Sequence, residues 1–343
     1  MSDGANNRVL FYSFPLSTDQ GANGVLGQGE FTTSGSALTA ATFSEPVNTA
    51  EDNAGNLYVS DFNNSRVLQF KPPFSNGMSA SLVIGQPDFL TGTSATTQNG
   101  LRAPAGSAFD YSGNLWVVDV GSNRILEYEP PFLTGMNASL VIGQANFTSG
   151  WITTTNAGLA SPSLIVFDAK GNLWVTDSGN NRVLEFEPPF VSSMAATLVI
   201  GQVNFGASGA AATASGLSTP TGIAFDSAGN LWVGDSANSR VLQFKPTFAT
   251  GMSASLVLGQ ANFTTFTSAT TQSGLSVPVG IAFDSSGNLW VPDNGNNRTL
   301  VFGPPFSDDQ NASLVLGQAN FTTATATTTA TGQSSPFAVT AAF

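Results

Sequence analysis

A carboxylate and a guanidinium recur at one fixed spacing along this chain. Asp3 and Arg8, Asp61 and Arg66, Asp119 and Arg124, Asp177 and Arg182, Asp235 and Arg240, and Asp293 and Arg298 all read Asp-x-x-x-x-Arg, with successive pairs 58 residues apart. Two chemistries suit such a set. An ion pair across a hairpin mouth can hold the turn and the junction beside it. A ring of carboxylates around a channel can instead hold a cation, and calcium is the metal that carboxylate and carbonyl oxygens alone would take. Six of the seven arginines are spent in this pattern. That economy favours structural pairing, and identical placement in every copy argues against one catalytic centre. The expectation is therefore no catalytic residue and no cofactor, with calcium the only candidate metal.

Composition narrows the chemistry further. The chain has 343 residues without a histidine or cysteine, which removes Ser-His-Asp and Cys-His nucleophiles, His- or Cys-bound zinc, and disulfides. Its 22 acidic and 10 basic residues leave a net charge of −12, so a nucleic-acid partner is not expected. No apolar run is long enough for a membrane span. Residues 1–9 lack the charged and apolar regions of a secretory leader. Charged residues make up only 9% of the chain against 41% hydrophobic, a balance that can bury a core.

Other polar residues read as scaffold. Asp52, Asp110, Asp168, Asp226 and Asp284 open Asp-x-x-Gly-Asn turns, where an Asp side chain accepts backbone hydrogen bonds. Glu127, Glu129, Glu185 and Glu187 flank two equivalent strands and are expected on a solvated face. An Asn just before most of the repeated arginines is expected to support the ion pair. Trp116, Trp174, Trp232 and Trp290, with Tyr58, are expected to pack between repeats. Trp151 differs because no other copy holds a Trp there, which makes it a candidate contact residue or part of a small satellite cluster.

These residues need a scaffold that repeats with them. Gly-Asn-Leu-Trp/Tyr-Val-x-Asp begins at Gly55, Gly113, Gly171, Gly229 and Gly287, and a Gly-Gln pair recurs from Gly27 to Gly317, both with the 58-residue interval. Within a unit, short runs such as Gly106–Phe109, Leu115–Val118, Arg124–Tyr128 and Ser139–Ile142 alternate with Gly, Asn, Asp and Pro, as strands do. Four strands per unit and six units describe a β-propeller. The run Gly171–Asp177 followed by Asn180–Leu184 resembles the NHL-repeat family. That resemblance covers essentially the whole chain and implies an all-β, six-bladed propeller of four-stranded antiparallel blades. The repeat is longer than is usual for the family, with the surplus after the fourth strand. Related propellers include lyases and lactone hydrolases with a divalent metal at the central channel, but the histidines and irregular ligand sets of those enzymes have no counterpart here.

Counting in steps of 58 places five continuous blades at about 46–90, 104–148, 162–206, 220–264 and 278–322. The sixth is assembled from 336–343 plus 3–31 and is expected to lack its second strand, leaving a vacant slot. Processing of the chain ends, local adjustment, or a strand donated by another molecule could each account for that slot; donation would build a filament. Strand parity puts the turns carrying the Asp and Arg pairs on the same face as the long loops 89–101, 147–159, 205–217, 263–275 and 321–333. These loops carry hydroxyl and amide groups that suit protein, peptide or carbohydrate, or they pack as spacers. The functional expectation is a non-enzymatic, extracytoplasmic binding or scaffold propeller. The alternatives are a self-assembling surface component and a calcium-dependent lyase or lactone hydrolase.

Overall fold

A computed structural model describes residues 1–340; the part of the sixth blade expected at 341–343 lies outside them. The first blade is the antiparallel sheet Pro46–Glu51, Leu57–Asp61, Arg66–Phe70 and Leu82–Ile84, and four further four-stranded sheets repeat its order. Apolar alternation and tight turns leave only 3-10 turns as helical structure among the described residues.

First strands of successive blades pack beside one another around the axis. Gly222 allows the closest approach, because a Cβ there would lie 2.1 Å from the Val279 carbonyl oxygen. Between blades the cores interdigitate. Trp116, Trp174 and Trp232 are fully buried, each in an edge-to-face box made by two phenylalanines of the next blade. Trp174, for example, has ring centroids 5.7 Å from Phe225 and 5.0 Å from Phe248. Burying one such ring contributes on the order of 3 kcal/mol.

The sixth sheet holds Ser2–Asp3, Arg8–Phe11 and Gly24–Leu26. The second-strand slot is therefore narrower than the sequence predicts. Ser2 pairs with Val9 and Asp3 with Arg8. On the other side the Ser2 amide donates to the Ala338 carbonyl (2.9 Å), the Phe337 amide donates to the Ser2 carbonyl (3.1 Å), and Asp3 bridges Pro336. The three residues preceding Gly4 retain the strand register because Asp3 is held by the same arginine pairing as in the other blades. Beyond them lies an apolar cavity of about 260 Å³, walled by Phe11, Phe74, Leu57 and Trp290, with Glu51 among its lining residues.

Candidate functional site

The structure brings all six Asp and Arg pairs together, with every side chain fully buried. Arg8 Nε lies 2.6 Å from the Asp3 carboxylate. Arg66 meets Asp61, Arg124 meets Asp119, Arg182 meets Asp177, Arg240 meets Asp235 and Arg298 meets Asp293, each at 2.7 Å. An ion pair confined to a hairpin mouth is too narrow a description of them. Arg124 Nη2 donates to the Thr97 and Gly100 carbonyls (2.9 Å each), in the loop before its blade. Its Nη1 donates to the Phe147 carbonyl, in the loop after it.

The later blades repeat this reach. Arg182 Nη2 donates to the Thr155 and Gly158 carbonyls at 2.7 and 3.0 Å. Arg240 takes those of Thr213 and Gly216 at 2.9 and 3.0 Å, and Arg298 those of Thr271 and Gly274 at 2.9 and 2.8 Å. The carboxylates are equally occupied, as where Asp119 Oδ1 accepts from the Arg102 amide at 2.5 Å. Burial pushes the Asp177, Asp235 and Asp293 carboxyls upward, and the guanidinium beside each opposes it. A buried charge pair this fully hydrogen-bonded straps two long loops to one turn. No carboxylate of the set is free to face a channel, and no group of three or more Asp or Glu among the described residues is arranged to hold a metal ion.

The asparagines divide the labour differently from the expectation. The one that supports the carboxylate stands two residues before the arginine: Asn180 Nδ2 donates to Asp177 Oδ2 at 2.8 Å. The one just before the arginine stitches blades instead. Asn123 donates to the Gly150 carbonyl (3.0 Å) and accepts from the Ser161 amide (2.7 Å) of the next blade. The Gly-Gln motif supplies a third strap, whose role the sequence does not reveal. Gln144 Nε2 donates to the Asn123 and Trp151 carbonyls (2.8 Å each), and its Oε1 accepts from the Trp151 amide (3.1 Å). An uncharged residue repeated at a buried position after strand four was the available signal.

Trp151 itself is 77% exposed and its neighbour Ile152 is 67% exposed. Its backbone is clamped while its ring projects into solvent, so it belongs to no satellite cluster. Phe266, in the loop between the fourth and fifth blades, is 61% exposed.

On the opposite face, the Asp-x-x-Gly-Asn turns do more than close. Asp110 Oδ1 accepts from the Ser112 and Asn114 amides at 2.8 and 2.9 Å, and its Oδ2 accepts from Trp116 Nε1 at 3.0 Å. The turn thus fixes the buried indole. Glu127 and Glu185 are buried rather than solvated, while Glu129 and Glu187 are exposed. Asn114 Nδ2 and Ser139 Oγ of the same blade each donate to the Glu127 carboxylate at 3.0 Å, contacts that alternation along one strand cannot reveal. Burial pushes both carboxyls above the ordinary glutamate range; the Ser139 and Asn114 hydrogen bonds oppose it at Glu127, while the nearby Glu187 and Asp168 charges add to it at Glu185.

A cleft of about 410 Å³ opens near the axis on the loop face, across the sixth blade from the fifth to the first. Glu45, Asn63, Asn294, Ser335 and Phe337 line it, and Gly4 leaves it room. None of these residues belongs to the fixed positions of the repeated Asp-to-Arg, Gly-Asn-Leu or Gly-Gln motifs. The signal lay in departures from the repeat: Glu45 stands where other blades hold Ala103, Ser161, Thr219, Val277 and Ser335.

Fold and site define a β-propeller whose charged residues fasten its loops. The NHL repeat family matches residues 159–186 and 217–244, so the chain is a β-propeller that carries NHL repeats in its third and fourth blades. No curated protein matches it in sequence. Among solved structures, a chain of a nidogen/laminin complex is similar at 17% identity, with a TM-score of 0.53 over 92% of this chain and 95% of the other. A gluconolactonase from Xanthomonas campestris is similar at 16% identity, with a TM-score of 0.51 over 91% and 86%. An auxiliary nutrient binding protein from Bacteroides thetaiotaomicron is similar at 12% identity, with a TM-score of 0.51 over 74% and 57%. At these identities the likeness is one of fold.

Proposed function

We propose that this chain is a non-enzymatic, extracytoplasmic binding or scaffold propeller that presents its long-loop face to a protein, peptide or carbohydrate partner. One observation carries the reading: the loop backbone is held by buried Arg and Gln straps, yet it displays Trp151 and Ile152 into solvent. A rigid backbone with a protruding aromatic loses little entropy when it binds. The extracytoplasmic part rests on the low charge and the Thr, Ser and Asn richness of the chain; fractionation of the producing cells tests it.

The binding test is a screen of the folded protein against immobilised peptides, proteins and glycans, followed by Trp151→Ala. The expected result is a partner whose binding falls at least roughly tenfold in the variant while the melting temperature stays put, because the side chain touches nothing in the core. Absence of binding in every class would overturn the reading. The enzymatic alternative predicts lactone hydrolysis or elimination abolished by a chelator; the expected result is no such activity. Among the described residues, self-assembly by strand donation would enter the apolar cavity beside Phe11, and a monodisperse monomer in light scattering at high concentration is expected.

A further inference from the structure

The cleft across the sixth blade concentrates residues that the repeat does not require. Asn63 occupies a position held by Ala5, Gly121, Gly179, Ala237 and Gly295 elsewhere, and Phe337 one held by Val47, Ala105, Ser163, Thr221 and Val279. Together with Glu45 they break the symmetry in this one sector, and all three line the same cleft. A scaffold built from identical units has no packing reason for three such departures to meet.

The polar groups of the cleft have a definite sense. Asn63 Nδ2 donates to Glu45 Oε2 at 3.0 Å, and Asn294 Nδ2 donates to the Pro336 carbonyl at 3.2 Å. Turning either amide over would set two oxygens against each other, so both carbonyl oxygens are the uncommitted ends. Glu45 Oε1 accepts no hydrogen bond from the described residues. The Glu45 amide donates to Asn7 Oδ1 at 2.8 Å, which fixes the left-handed backbone (φ 55°) from which the carboxylate projects. The cleft therefore offers a carboxylate and two amide oxygens as acceptors, beside an aromatic ring, with no lysine or arginine among the described residues that line it.

We propose that this cleft is a binding site for an organic ammonium ion. Glu45 supplies the counter-charge, the Asn63 and Asn294 oxygens accept the remaining N–H donors, and Phe337 packs on the apolar body. A polyol meets the Ser36, Ser44 and Ser335 hydroxyls at this cleft as well, but it brings no charge to balance Glu45. An anion is repelled by Glu45 and by a chain of net charge −12. The site is separate from Trp151 and does not depend on the partner-binding reading.

Calorimetric titration of the full chain with n-butylammonium chloride tests it, with n-butanol and sodium butyrate as neutral and anionic counterparts. Saturable binding of the ammonium alone is expected. Glu45→Gln should weaken it roughly tenfold, the scale of one charge-assisted hydrogen bond. Asn294→Ser, the residue that the third and fourth blades hold there, should weaken it by a smaller factor. Asp88→Asn, which removes an exposed carboxylate outside the cleft, should leave it unchanged. Melting curves verify that each variant is folded. No saturable binding, equal binding of the alcohol, equal affinity of Glu45→Gln, or equal losses in Glu45→Gln and Asp88→Asn would each overturn the assignment.

Discussion

Two junctions of the ring hold the same place in different ways. Between the third and fourth blades, Trp174 enters the Phe225–Phe248 box and its indole N–H is met by Asp168 Oδ2 at 3.1 Å. Between the sixth and first blades, Glu51 replaces the first phenylalanine of the box, Phe11 approaches Phe74 at 6.3 Å, and an apolar cavity remains. Gly24 makes this arrangement possible: it stands where other blades hold leucine, and a Cβ there would meet Phe11 Cζ at 1.8 Å. The regular junctions are set by packing that any blade can repeat; a surface cleft of about 840 Å³, lined by Glu185, Phe225 and Phe248, opens beside the third–fourth junction, but Trp174 stays fully buried there. The seam is where sequence departs from that packing, and it is flanked by the cleft as well as the cavity.

Breaking a strap should have the largest effect. Arg124→Ala leaves Asp119 buried without its partner and frees three loop carbonyls, so a loss near the upper end of about 3–5 kcal/mol is expected in urea denaturation. Arg102→Ala, which removes the exposed arginine outside the pattern, should change stability by no more than about 0.5 kcal/mol. Next come the junctions themselves. Trp174→Ala should cost about 3 kcal/mol or more, whereas Phe11→Ala at the seam should cost less than half as much, since its site is already open on one side. An equal loss at both would show that the seam is as tightly packed as a regular junction.

A smaller effect, of opposite sign, is expected at Tyr128. Its hydroxyl is buried without a partner among the described residues, and Phe70, Phe186, Phe244 and Phe302 fill the same place in other blades. Tyr128→Phe should stabilise the fold by about 1 kcal/mol, measured by the same denaturation. The smallest effect depends on pH. Glu127 titrates above its unfolded value, so its favourable contribution is full below the ordinary glutamate pKa and is lost as pH rises through the raised one. Glu127→Gln, matching Gln69 and Gln243, should raise the melting temperature at pH 7, with the gain shrinking as pH falls towards 4.

Much of the scaffold was legible because the 58-residue period repeats most local choices five or six times. Strands such as Arg124–Tyr128 follow from their own apolar runs, and the Asp-to-Arg spacing marked the hairpins that the pairs close. The straps were not legible. Arg182, Arg240 and Arg298 could be paired with their carboxylates from spacing alone, but not with the loop carbonyls that their outer nitrogens hold. Gln144 and Asn123 likewise work through carbonyls and amides in other segments, and backbone groups leave no signature in sequence. The burial of Glu127 escaped for a related reason, since its carboxylate is held by Asn114 and Ser139 from other segments of the blade. The departures at Glu45, Asn63 and Phe337 were visible as a column of unlike residues, but nothing in their spacing said that they meet.

The sequence by itself determined the repeating unit, its strands and turns, and the pairing of its charges, because each depends on neighbours within one hairpin. The tertiary structure decided which faces are covered, how the loops are strapped, and that Glu45, Asn294 and Phe337 share one cleft. Those outcomes depend on the rotation from blade to blade and on the Ser2–Ala338 contact between distant segments, and both are set by packing over the whole ring.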